Sequence, residues 1–302
     1  MKWHGVIPAM TTAFDTNLKV DFDAVVERAQ WMVASGCTGV VVLGSLGESA
    51  TLTVAEKIKI VEKVRAGLAP QAPVVAAISG LGTAECVDLA KAVADAGCDG
   101  LLVLPPYVYC GDWRETKNHV ASIFAATRLS CMLYNNPIAY GTDFTPQQIV
   151  ELAAEHENLE AVKESSADVR RVTSIRALTD RLALFVGVDD LILEGISAGA
   201  VGWIAGLVNA FPEESVRLFA LGKSGRWDEA YLLYRWFLPL LRLDTVPKFI
   251  QLIKLVEERV GVGSGRVRPP RLELTGSERE EVLRLVDVAL ANPPASLALP
   301  NR

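Results

Sequence analysis

The feature that most constrains this chain is an alternation of two kinds of segment. Short apolar runs rich in β-branched residues fall at 6–12, 39–44, 73–79, 100–105, 130–135, 159–164, 182–187 and 200–205. Each is continuously apolar rather than alternating, as expected of a strand covered on both faces. Between them, stretches 22–35, 54–69, 84–96, 113–127, 146–154, 169–178 and 191–198 carry apolar residues at helical spacing. Asp21, Thr53, Thr83 and Asp112 stand where an N-cap acceptor is wanted, and Thr145-Pro146 places proline at a first helical position. Ser35-Gly36-Cys37-Thr38-Gly39 and Ala96-Gly97-Cys98-Asp99-Gly100 read as one helix-to-strand turn used twice.

Eight strands separated by helices predict an α/β fold of the (β/α)8 or TIM-barrel type over 1–210. A doubly wound open sheet is the competitor, but no Gly-x-Gly-x-x-Gly follows the first strand, which leads instead into Thr11-Thr12-Ala13-Phe14. Residues 211–302 read as an appended C-terminal helical region packed on the barrel's flank. Its helices are expected at 213–221, 227–243, 246–260 and, after Pro269-Pro270, 277–290, with a frayed tail from about 292.

Composition narrows the classes of function. A net charge of −6 and the lack of a Lys/Arg stripe argue against a nucleic-acid partner. The five cysteines sit in apolar contexts with no C-x-x-C pair and no nearby histidine, so they read as reduced, mostly buried thiols rather than metal ligands. No apolar run approaches a membrane span, and the first residues lack the apolar core of a signal peptide; a cytoplasmic protein with no membrane partner is expected.

In such barrels chemistry collects at the C-terminal ends of the strands. Those ends carry Gly44-Ser45-Leu46-Gly47-Glu48-Ser49, Pro105-Pro106-Tyr107-Val108-Tyr109, Tyr134-Asn135-Asn136-Pro137, Lys163-Glu164-Ser165-Ser166 and Gly187-Val188-Asp189-Asp190. Lys163 is the first suspect for covalent chemistry, because burying an ammonium beside an apolar core is costly and favours the neutral, nucleophilic amine. On the local sequence alone, Lys163 on an exposed edge strand would be equally reasonable. Ser45 either caps the next helix or, in its Gly-Ser-x-Gly turn, presents a hydroxyl and backbone N–H groups to a carboxylate. Tyr134 is either a core aromatic or a proton shuttle. Asp189 is either a helix cap or a substrate-hydroxyl ligand, and Tyr107 and Tyr109 suit loop packing or a subunit contact better than catalysis. Glu48 and Glu164 read as groups that orient backbone or hydroxyls. His4, His119 and His156 assemble neither a triad nor a metal site.

Together these motifs resemble the dihydrodipicolinate synthase / N-acetylneuraminate lyase superfamily of Schiff-base enzymes, from Gly5-Val6-Ile7-Pro8-Ala9 to Arg268-Pro269-Pro270. The resemblance implies that Lys163 forms an imine with a 2-oxo acid or a cyclic imine, that Tyr134 relays protons, and that Ser45 and the Leu46 N–H hold the substrate carboxylate. Gly187 and Ile204 would supply backbone and apolar walls. No metal and no cofactor are implied, since the lysine imine is itself the electron sink. A homo-oligomer, dimer or tetramer, is implied too, with Tyr107 or Tyr109 near a subunit boundary.

Four positions depart from the synthases themselves. Where those enzymes carry two threonines, a second tyrosine and an arginine, this chain has Ser45-Leu46, Val108 and Ala139. Losing the arginine removes a charge-assisted clamp on the aldehyde substrate's carboxylate, worth roughly 2–4 kcal/mol. The set Gly44-Ser45-Leu46-Gly47-Glu48, Tyr107-Val108-Tyr109, Tyr134-Asn135-Asn136-Pro137 and Asp189-Asp190 is similar instead to the 1-pyrroline-4-hydroxy-2-carboxylate deaminases of hydroxyproline catabolism. That likeness implies release of 2,5-dioxopentanoate and ammonia, with Asn136, Tyr107 or Asp189 holding the 4-hydroxyl. The alternatives are a synthase, aldolase or dehydratase of the same superfamily acting on a 2-oxo acid, and a non-catalytic metabolite-binding barrel.

Overall fold

The computed structural model describes residues 1–294; the expected tail lies mainly at 295–302, outside the described residues. Eight strands, β1 (Gly5–Pro8), β2 (Val40–Val42), β3 (Val74–Ile78), β4 (Gly100–Val103), β5 (Ser130–Asn135), β6 (Leu159–Glu164), β7 (Ala183–Val186) and β8 (Gly202–Ala205), pair in parallel in chain order. β1 pairs with β8, and a parallel bridge between Ala9 and Val41 joins the β1 end to β2, so the sheet closes into a TIM barrel. Every residue of β2, β3 and β4 is buried, which accounts for their unbroken apolar sequence.

Helices α1 (Phe22–Ala34), α2 (Val54–Gly67), α3 (Thr83–Asp95), α4 (Trp113–Ala126), α5 (Pro137–Tyr140), α6 (Pro146–Glu155), α7 (Arg170–Leu178) and α8 (Ile192–Ser197) lie between the strands. The caps are where the sequence places them in four of these helices, Asp21 accepting from the Ala24 N–H at the start of α1, and in a fifth they are not. Thr53 with Glu56, Asp112 with Glu115 and Thr145 with Gln148 form reciprocal capping boxes. Thr83, expected as a cap, is the first residue of α3, and its hydroxyl bonds His119 Nδ1 at 2.9 Å. Gly36 and Gly97 both take positive φ, +100° and +93°, at the repeated helix-to-strand turn.

After the barrel come α9 (Pro212–Lys223), α10 (Trp227–Leu241), α11 (Phe249–Arg259) and α12 (Gly276–Ala291). The expected helix over 227–243 stops at Leu241 and the next starts at Phe249, with a 3-10 turn, Arg242–Asp244, opening the connection. α11 is tied to the mouth of the barrel by buried charge. Lys254 Nζ donates to Glu48 Oε1 at 2.5 Å, and Arg28 Nη1 and Thr11 Oγ1 donate to the two oxygens of Glu257 at 2.7 and 2.8 Å. The first strand stops at Pro8 rather than Thr12, which frees Thr11 and Thr12 to bond α11 and the β2 loop, Thr12 Oγ1 donating to Gly47 O at 2.7 Å. Four of the cysteines are buried as expected and Cys110 is exposed.

Candidate active site

Lys163 lies on β6 between Tyr134 of β5 and Phe185 of β7 in register, and its side chain is buried. An exposed edge strand is thereby excluded. Its Nζ stands 4.2 Å from the centroid of the Tyr134 ring, and among the described residues no carboxylate forms an ion pair with it. The stem of Lys163 runs against Gly187, where an added Cβ would lie 2.6 Å from Lys163 Cε and 2.0 Å from Ser165 Oγ. Gly187 thus leaves the lysine room to extend. Ser165 Oγ itself is buried without a hydrogen-bond partner among the described residues.

The residues flanking Lys163 are held by a separate polar set. Asn135 Nδ2 and the Ser166 N–H donate to Glu164 at 2.9 and 2.7 Å, and Asn135 Oδ1 accepts from the Phe144 N–H at 3.0 Å. Burial pushes the Glu164 carboxyl above its ordinary range despite these bonds. Glu164 therefore fixes the rim rather than facing substrate, and Glu48 likewise spends both oxygens, on Lys254 and the Arg268 N–H.

Tyr134 is buried, and its hydroxyl accepts from Asn136 Nδ2 at 3.0 Å. The other end of the Asn136 side chain accepts from the Ala139 N–H at 3.0 Å and so caps α5. Asn136 thus couples the orientation of the Tyr134 phenol to the start of a one-turn helix. That helix, absent from the sequence expectations, delivers Tyr140, whose hydroxyl hydrogen-bonds Ser45 Oγ. Tyr140 packs on Tyr107 and Tyr134 at centroid distances of 5.2 and 5.7 Å. Burial, then the neighbouring Tyr134 and Tyr107, push the Tyr140 phenol well above its ordinary value. The signal for Tyr140 was present, since Asn136-Pro137 is a cap followed by proline at the first helical position, but four residues are too few to show helical periodicity.

Ser45 does not cap the next helix; Thr53 does. Its hydroxyl instead joins the tyrosine cluster, and among the described residues the Ser45 and Leu46 N–H groups find no acceptor. Gly47 permits this turn, because a Cβ there would lie 2.9 Å from Met10 O. Tyr107 meets the cluster through its ring, whereas Tyr109 is exposed and donates to Glu115 Oε2 at 3.0 Å. Val108 between them takes φ +70° and is 93% exposed.

Asp189 is fully buried, accepting from Trp203 Nε1 at 3.1 Å and from the Gly206 and Leu207 N–H groups at 3.1 and 2.8 Å. It therefore caps the turn after β8 rather than its own helix, α8, which has no side-chain cap. Burial pushes its carboxyl up to about 6 against the lowering effect of these bonds and of Lys163. Ile204, on β8, is buried in the barrel. Among the described residues no three His, Cys, Asp or Glu side chains are grouped so as to hold a metal, and no helix is long and apolar enough to cross a membrane.

Comparison with known proteins places these features. The profile of the dihydrodipicolinate synthetase family matches residues 2–289. The chain is 30% identical over 275 residues to the 4-hydroxy-tetrahydrodipicolinate synthase of Methanococcus maripaludis, covering 91% of this chain and 94% of that one. It is 32% identical over 283 residues to the enzyme of the same name from Natronomonas pharaonis, covering 92% and 95%. Among solved structures, dihydrodipicolinate synthase from Bacillus anthracis superposes with a TM-score of 0.91 at 27% identity, covering 95% of this chain and 98% of that one. These relatives carry the synthase name and none of them is named a deaminase, so the finer likeness to the pyrroline-carboxylate deaminases rests on the site residues alone.

Proposed function

Because the chain belongs to the dihydrodipicolinate synthetase family, we propose that it is a Schiff-base lyase in which Lys163 forms an imine with C2 of a small 2-oxo acid or cyclic imine carboxylate. The observation that carries this is a buried amine with no carboxylate partner, set over the Tyr134 ring at the barrel mouth. An ion-paired lysine would have to be freed before it could attack; this one has no such bond to break. The Ser45 hydroxyl and the N–H groups of Ser45 and Leu46 suit the substrate carboxylate, and the Tyr134 hydroxyl relays the proton that leaves C3 of the ketimine, passing on its own as it accepts that one. The test is reductive trapping: pyruvate with cyanoborohydride should leave one stable adduct on Lys163, located by peptide mass spectrometry. No adduct, or one on another lysine, would overturn the assignment.

For the second half of the reaction, the names of the relatives support 4-hydroxy-tetrahydrodipicolinate synthesis. A specific observation favours a second reading, the deaminase. Position 139 is an exposed alanine rather than an arginine, so no side chain there clamps a second carboxylate. In that reaction Lys163 displaces the ring nitrogen from C2, the 4-hydroxyl leaves by β-elimination after loss of a C3 proton, and water hydrolyses both the lysine imine and the distal enamine. One water is lost and two are consumed, giving 2,5-dioxopentanoate and ammonia. Paired assays for 4-hydroxy-tetrahydrodipicolinate formation and for ammonia release from 1-pyrroline-4-hydroxy-2-carboxylate decide between the two. A dimer or tetramer, to be checked by light scattering, belongs to either reading.

A further inference from the structure

The turn between α10 and α11 brings one more acid to the barrel mouth. Asp244 belongs to the C-terminal region, yet its carboxylate lies directly on Gly206, the first residue after β8: an added Cβ at Gly206 would sit 2.1 Å from Asp244 Oδ1 and 2.4 Å from Cγ. The Gly206 N–H on the same residue donates to Asp189. The two carboxyls therefore flank one glycine, close enough to Lys163 for both to feel its charge. They differ in one respect. Asp189 is satisfied by three donors, whereas Asp244 Oδ1 is buried with no hydrogen-bond partner among the described residues.

A buried carboxyl oxygen without a donor is costly to maintain, and among the described residues none donates to Asp244 Oδ1. We propose that Asp244 is a specificity-determining residue, whose carboxyl hydrogen-bonds a hydroxyl or amino group at the far end of the substrate and repels a second carboxylate there. The inference rests on imine formation at Lys163. With the substrate's own carboxylate at the Ser45-Leu46 turn beyond β2 and its C2 at Lys163 on β6, the remaining carbons extend toward β7 and β8, where Asp244 stands. Burial and the neighbouring Asp189 push the Asp244 carboxyl above its ordinary range, against the lowering effect of Lys163. Gly206 is required by the same geometry, because any side chain there evicts the carboxylate.

The experiment is competitive reductive trapping on the full-length protein, with pyruvate, 4-hydroxy-2-oxobutanoate and 2-oxoglutarate as probes and adducts quantified on the Lys163 peptide. In the wild type, the hydroxylated acid should outcompete pyruvate and 2-oxoglutarate should be the poorest. Asp244→Ala should lower the ratio of hydroxylated to unsubstituted adduct about tenfold, as expected for one lost hydrogen bond to a buried carboxyl, and Asp244→Asn should raise the relative yield with 2-oxoglutarate. Gly206→Ala should reproduce the Asp244→Ala ratio. A purely structural role would lower all three adducts together and leave the ratios unchanged, which would overturn the inference. Absence of any Lys163 adduct in the wild type would instead sink the imine reading itself.

Discussion

Two buried lysines set the terms on which this molecule can be understood. Lys254 of α11 and Lys163 of β6 are each nearly inaccessible, and each lies over an aromatic ring, Phe14 at 4.3 Å and Tyr134 at 4.2 Å. Lys254 also donates to Glu48 at 2.5 Å and to Arg266 O at 2.7 Å. Lys163 has neither kind of partner among the described residues. Burial therefore does not by itself mark a nucleophile. What separates a lysine that joins two parts of the fold from one that can attack a carbonyl is whether its ammonium is answered by a carboxylate in contact with it.

The largest expected effect comes from removing the unanswered lysine. Lys163→Ala should reduce turnover and imine trapping to background while leaving the thermal midpoint within a few degrees, because no ion pair is broken; residual turnover would mean that the chemistry runs elsewhere. The answered lysine should behave oppositely. Glu48→Gln leaves the Lys254 ammonium buried without its counter-charge and should cost about 3–5 kcal/mol in denaturant unfolding. Glu48→Gln combined with Lys254→Met should recover most of that loss, since the uncompensated charge is gone. If the double variant is no more stable than Glu48→Gln alone, the pair is not the tie between α11 and the β2 loop.

Between these extremes lies Tyr134, which contacts Lys163 and is oriented by Asn136. Tyr134→Phe keeps the ring under the amine and removes only the phenol, so turnover should fall about 10²-fold, the lower range for a positioned proton donor. Trapping of pyruvate on Lys163 should suffer much less, because imine formation can draw protons from water. Equal losses in both would assign Tyr134 to holding the lysine rather than to moving protons.

The barrel was legible because strand and helix periodicity repeat so often that misjudged ends do not disturb the count; β1 stops four residues short of expectation and the fold is unchanged. Lys163 and Tyr134 were legible because a charge or phenol at the end of an apolar strand is conspicuous. Tyr140 was not, since a single helical turn has no period and its hydroxyl is placed by Asn136, a cap easily taken for a ligand. Asp244 was hidden for a different reason. It sits between two helices expected to be nearly continuous, and only the folded chain reveals that their connection opens over the barrel mouth. The role of Glu48 in holding Lys254 was equally invisible, because partners 206 residues apart leave no trace in local pattern.

The smallest effect, and the finest test of the unanswered lysine's surroundings, concerns the pair formed by Tyr140 and Ser45. Their hydroxyls share one hydrogen bond beside the Tyr134 ring, so each is useful to a substrate carboxylate only as the other orients it. Tyr140→Phe and Ser45→Ala should each lower kcat/KM about tenfold, with KM rising more than kcat falls if the pair binds the carboxylate. Residues in direct contact typically couple by about 0.5–3 kcal/mol, so the double variant should lose little more than either single one. Additive losses, each tenfold falling on top of the other, would mean that Ser45 and Tyr140 act on different groups of the substrate. The proton path from Tyr134 would then have to be drawn without Tyr140.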